Sequence, residues 1–141
     1  MARLMAIDYG KKRCGIAVTD ELQLIATALD TVETSQLMEY LKRYFTKNAV
    51  EKLVVGEPSN LNGTATHASQ PVKAFVQLMT TTFPQLPIVM IDERFTSKMA
   101  AQVVANSGMR KKQRQEKGLL DQISAVILLQ DYMIRVENKI I

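Results

Sequence analysis

The chain predicts an α/β fold built on a mixed five-stranded sheet with helices on both faces. Three observations carry that prediction. Two strand-like runs near the start, RLMAID and CGIAVT, flank a turn containing Gly10 and two lysines. Two further short apolar runs, KLVVGEP and PIVMID, have the length and character of buried parallel strands. Between and after them lie stretches with apolar residues spaced by three and four, the stripe of a helix packed on a sheet.

In order, RLMAID sets Leu4, Ala6 and Asp8 on one side of the first strand, and CGIAVT returns as its hairpin partner. LIATALDTVE predicts a third strand. Thr34 or Ser35 is the expected cap of a helix carrying Leu37, Tyr40, Leu41, Tyr44 and Phe45, which ends near Asn48. KLVVGEP follows as a strand stopped by Gly56 and Pro58, with SNLNGT as its loop. Ala68, Val72, Phe75, Val76 and Met79 form the next helical stripe, in which Pro71 fits only the first turn. After the strand PIVMID, Thr96 or Ser97 caps a helix through Ala100, Val103 and Val104 that closes at Gly108. A last helix runs from about Leu119 to Val136. No repeat or linker interrupts residues 1–141, so one domain is expected.

Composition narrows the chemistry. The 141 residues are 47% hydrophobic and 23% charged, outside the range of disorder. No apolar run is long enough to span a bilayer, and MARLMAIDYG turns polar too soon for a signal-peptide core, so a cytoplasmic protein with no membrane partner is expected. Cys14 is the only cysteine, which rules out an intrachain disulfide and a cysteine-based zinc site; its setting in CGIAV predicts a buried thiol. His67 is the only histidine, in a polar stretch without a serine elbow, and reads as a surface loop residue. The net charge of +4 comes from one place: RKKQRQEK at 110–117 holds five cations and one anion, while charges elsewhere cancel. A contact with a polyanion and a merely solvated loop both fit that segment.

Three acidic positions sit where a solvated charge is not expected. Asp8 ends one apolar strand, Asp92 and Glu93 end another, and Asp121 lies beside Leu119, Leu120 and Ile123. On the last helix Asp121 shares a face with Ser124, Ala125 and Leu128, whose small neighbours allow close approach to the sheet. Carboxylates withdrawn from water need a partner, and hard cations such as Mg²⁺ or Mn²⁺ prefer oxygen donors. Two such ions about 4 Å apart suit phosphodiester cleavage, activating a water and stabilising the leaving oxygen. Each acid taken alone reads better as an ordinary strand-end or helix-turn residue, and it is their arrangement that points to a site.

Four ordered segments, DYGKKRCGIAVTD at 8–20, VVGEPSNLNG at 54–63, IDERFTS at 91–97 and LDQISAVILLQ at 120–130, resemble the YqgF family of RNase H-like proteins over essentially the whole chain. Its members are described as Holliday junction resolvases and as nucleases maturing the 5′ end of pre-16S ribosomal RNA. The resemblance implies an RNase H-like fold and an acidic triad of Asp8, Glu93 and Asp121 that is both catalytic and metal-binding. It also implies substrate-binding roles for Arg13, Arg94 and Thr96. Arginine suits bidentate phosphate contact, although Arg13 reads equally as a turn residue and Arg94 as the partner of a nearby carboxylate. Glu57 and Asn62 depart from the usual pattern of the family's second motif. Arg110, Lys111, Lys112 and Arg114 are the expected backbone contacts of a segment flanked by Gly108 and Gly118.

The expected function is therefore divalent-metal-dependent endonucleolytic hydrolysis leaving 5′-phosphate and 3′-hydroxyl ends, with pre-16S rRNA as substrate. A four-way DNA junction is the alternative, and a non-catalytic nucleic-acid-binding module the rival class. A junction resolvase calls for a symmetric homodimer, whereas RNA trimming needs only a monomer. The D-x-G pattern also occurs in the phosphate loop of actin- and hexokinase-like ATPases, but those bind nucleotide between two such domains. Aromatic residues are 6% of the chain and none interrupts the basic segment, which argues against base stacking as the means of recognition.

Overall fold

The computed structural model describes residues 2–57, 69–92 and 117–137. Strands β1 (Arg3–Asp8), β2 (Arg13–Thr19) and β3 (Ala26–Glu33) form an antiparallel meander. Helix α1 (Leu37–Lys47), strand β4 (Val50–Glu57), helix α2 (Ser69–Thr82) and strand β5 (Ile88–Asp92) follow, and helix α3 (Lys117–Glu137) is the last described element. The sheet order is β3-β2-β1-β4-β5, with β4 parallel to both β1 and β5. The mixed five-stranded sheet expected from the sequence is thus present. The expected helix through Ala100, Val103 and Val104 lies outside the described residues, as do the loop SNLNGT and His67.

Strand alternation divides the core into two layers. On one face Met5, Ile7, Ile16, Leu53 and Val55 pack against Leu37 and Leu41 of α1 and Val72, Phe75 and Met79 of α2. On the other, Leu4, Ala6, Ala17, Val54 and Ile91 pack against Ala125, Leu128, Leu129 and Tyr132 of α3. The α3 face of β1 and β2 is made of small residues near the strand ends, and the helix backbone comes close there. Burying each of these large aliphatic side chains contributes about 1.5–3 kcal/mol before entropy is counted, which is what anchors α3 across the sheet.

Two local expectations are corrected. The third strand begins at Ala26 rather than Leu24, because the Asp20 carboxylate accepts the backbone N–H groups of Leu22, Leu24 and Ile25 at 3.1, 2.9 and 2.8 Å. This Asx-type loop takes those amides out of any ladder. Neither Thr34 nor Ser35 caps α1: residues Thr34–Gln36 form a 3₁₀ turn, and Gln36 precedes the helix without a side-chain cap bond. The Thr34 hydroxyl instead donates to the Gly10 carbonyl at 2.6 Å. A tertiary acceptor outcompetes the local one.

Candidate nuclease site

The site grows from the end of the first hairpin. Asp8 closes β1 and pairs in register with Gly15 of β2. Leu4 and Ala6 lie on the α3 face, so the period-two alternation assigns Asp8 to that same face. Gly15 lacks a side chain for a concrete reason: a Cβ built there would lie 1.9 Å from the Asp121 carbonyl oxygen. The backbone of α3 rests on the glycine, which brings Asp121 directly over the residue paired with Asp8. Buried Ser124 and Ala125 continue that close contact, and Leu128 completes it.

Both carboxylates are near enough to the buried Cys14 thiol to act on it. Burial is the main cause that pushes the thiol up from its ordinary value, and the charges of Asp8 and Asp121 push the same way. Hydrogen bonds to Thr34 and the Gly10 carbonyl oppose the shift. Cys14 is therefore a core thiol, as its sequence setting predicts, committed to contacts at 3.4 Å with Thr34 Oγ1 and 3.9 Å with the Gly10 carbonyl.

Arg13, which opens β2, donates through Nε to Asp121 Oδ2 at 2.5 Å. Its side chain is 36% exposed and that of Asp121 27%, so the pair faces solvent on one side. Next to Asp121, Gln122 donates from Nε2 to Thr31 Oγ1 at 3.0 Å and ties α3 to β3. Behind the site, besides the Thr34 hydroxyl bond to Gly10, two more contacts fasten the hairpin turn. Thr34 N–H donates to the Lys12 carbonyl at 3.0 Å, and the Tyr9 ring lies against Phe75 with centroids 4.9 Å apart. Gly10 is required at the turn, where a Cβ would stand 2.4 Å from the Arg13 carbonyl oxygen.

The structure thus brings together Asp8, Asp121 and Arg13. Glu93, Arg94, Thr96, Arg110, Lys111, Lys112 and Arg114 lie outside the described residues. Among the described residues no group of three His, Cys, Asp or Glu is placed to hold a metal. The donor chemistry nevertheless fits a hard divalent cation, since two converging carboxylates supply only oxygen. Gly15 and Gln122 were not singled out by sequence reasoning, and Thr34 was read only as a helix cap. A glycine inside a strand-like run was a legible sign of close backbone approach; the two polar residues carried no such signal.

The sheet order and the helix on the carboxylate face are those of the RNase H-like fold. A Fowlpox virus resolvase solved with its substrate Holliday junction DNA has the same fold at a TM-score of 0.60, 10% identity, and coverage of 95% of this chain and 98% of that one. A T. thermophilus RuvC solved in complex with a Holliday junction substrate matches at 0.56, 16% identity and 97% of both chains. The chain belongs to the RuvX family, whose model, described as a Holliday junction resolvase, matches residues 2–135. A Flavobacterium johnsoniae protein named "Putative pre-16S rRNA nuclease" is 50% identical over 94% of this chain and 96% of its own length. One of the same name from Bacteroides thetaiotaomicron is 45% identical over the same shares.

Proposed function

We propose that this chain is a divalent-metal-dependent endonuclease that processes the 5′ end of pre-16S rRNA in the cytoplasm, with Asp8, Glu93 and Asp121 holding the metal. The observation that carries the reading is the convergence of Asp8 and Asp121 across Gly15, at the mouth of a sheet whose family is described by nuclease activity. The printed name of the relatives supports RNA as substrate.

Asp92 is the alternative to Glu93 as the third acid, and the family resemblance of IDERFTS, rather than strand pattern, favours Glu93. Val89 and Ile91 of β5 pack toward α3, whereas Ile88 and Met90 pack toward α1 and α2. One or two Mg²⁺ or Mn²⁺ ions, when bound, would polarise the scissile phosphate and lower the pKa of the attacking water. The chain's own part is to place Asp8 at a strand end and to press Asp121 against the sheet. Arg13, Arg94 and Thr96 then neutralise and orient phosphate oxygens, and Arg110, Lys111, Lys112 and Arg114 grip the backbone beyond them.

The test is cleavage of end-labelled pre-16S rRNA fragments and of a four-way DNA junction, with Mg²⁺, Mn²⁺ or EDTA, by the wild-type chain and by Asp8→Asn. RNA cutting that needs metal and falls at least about 10²-fold in the variant, a loss of roughly 2.7 kcal/mol of transition-state stabilisation, is the expected outcome. Cutting confined to the junction would favour the resolvase reading, which the fold's likeness to junction-bound resolvases keeps as the second candidate. No cutting of either by folded, metal-loaded protein would favour a non-catalytic binding module.

A further inference from the structure

The pair of Arg13 with Asp121 leaves two groups with a claim on one carboxylate. Asp121 has a single negative charge, and Arg13 Nε already occupies Oδ2 at 2.5 Å. A divalent cation arriving between Asp8 and Asp121 would place two positive charges on the far side of the same group. One carboxylate cannot screen a guanidinium and a doubly charged ion from each other at that range. Both the pair and its approach are open to solvent, with Arg13 36% and Asp121 27% exposed, so the guanidinium has room to leave. Arg13 also lies on the same strand face as Gly15 and Ala17, at the rim where a phosphate backbone would cross.

We propose that Arg13 is a latch: it neutralises and orients Asp121 while no cation is bound, is displaced when the cation enters, and then turns its guanidinium to the substrate phosphate. The inference rests on the carboxylate pair being the metal site. It assigns Arg13 a positioning role before binding and a substrate-contacting role after it. It also makes cation and nucleic acid bind with positive coupling, because the ion frees the group that the phosphate needs.

Titration of Mn²⁺ and Mg²⁺ without nucleic acid, by calorimetry, into the wild-type chain, Arg13→Gln, Arg13→Lys and Asp8→Asn tests it. Removing the competing charge in Arg13→Gln should tighten cation binding on the order of tenfold, within the range typical of coupled sites. Arg13→Lys, which keeps the charge, should stay near wild type, and Asp8→Asn should lose binding. A second readout needs no substitution at the latch. In the ¹⁵N–¹H spectrum of the wild-type chain, the Arg13 Nε–H signal should be sharp and protected in EDTA and should exchange-broaden when Mg²⁺ saturates the site. Equal or weaker cation binding by Arg13→Gln, or an Nε–H signal unmoved by saturating Mg²⁺, overturns the latch while leaving the metal site standing. Absence of cation binding in the wild type and Arg13→Gln alike overturns the metal site and the latch together.

Discussion

Gly15 is the residue on which the site depends without supplying any chemistry. Its α-carbon is the surface on which the Asp121 peptide rests, and a methyl group there would meet backbone rather than a flexible side-chain tip. Gly15→Ala should therefore push α3 outward, lower stability by about 1–3 kcal/mol in the manner of overpacked cores, and separate Asp121 from Asp8. Thermal unfolding and Mn²⁺ titration measure the two effects, and both should move in the same variant. Cys14, one residue earlier, faces the opposite layer. Its thiol pKa is raised, chiefly by burial, so the folded chain favours the protonated form. The stability this contributes is complete below the ordinary thiol value of 9.0 and declines as pH rises through the higher folded value. Accordingly iodoacetamide should modify Cys14 slowly in the native chain at pH 8 and rapidly once urea unfolds it. Fast native alkylation would contradict the burial.

At the scale of elements, the β2–β3 loop is held by one carboxylate. Asp20 accepts three backbone N–H groups, and Gln23, in the left-handed region at φ 58°, ties the loop to the Ala2 carbonyl at 2.9 Å and to Glu51 at 3.0 Å. The donated N–H groups, Ile25 foremost, hold the Asp20 carboxyl below its usual range. For an acid with a lowered folded pKa, the stabilising contribution is present above the unfolded value and is lost as pH falls through the folded one. Amide exchange at Leu22, Leu24 and Ile25 should thus show protection at pH 6 that disappears below the ordinary value of 3.8, once intrinsic rates are corrected. Asp20→Ala should remove that protection already at pH 6. The loop also shows how hydrophobicity misleads in short runs: Leu24 and Ile25 read as strand, yet they are 69% and 65% exposed because their amides serve Asp20.

For the whole molecule, the sheet supports two separate chemistries. One layer, with α1 and α2, is a large-residue core; the other, with α3, also holds Leu4, Val54, Ile91, Leu128 and Tyr132 but carries Ala6, Gly15 and Ala17 where the Asp121 backbone comes down on the sheet. The basic excess at 110–117 is the polyanion-contacting segment of the proposed function. Replacing Arg110, Lys111, Lys112 and Arg114 together by Gln should weaken nucleic-acid binding in low salt. It should also flatten the dependence of log K on log salt by about 0.7–0.9 for each phosphate that is no longer neutralised. Binding isotherms over a series of salt concentrations measure it, and an unchanged slope would assign those cations to a solvated surface.

Local pattern was enough for the five strands apart from the start of the third, the stripes of α1, α2 and α3, the buried thiol and the candidacy of Asp8 and Asp121, because alternation and three-to-four spacing report directly which side of an element faces a core. Four ordered motifs were enough for the family. What needed the tertiary structure were choices between competing partners. Thr34 gave its hydroxyl to Gly10 instead of capping a helix, Asp20 took amides that a strand would have used, and Arg13 paired with an acid 108 residues away in the chain. Each of these outcomes depends on which donor and acceptor the folded chain brings within about 3 Å, and spacing along a sequence carries no record of that distance.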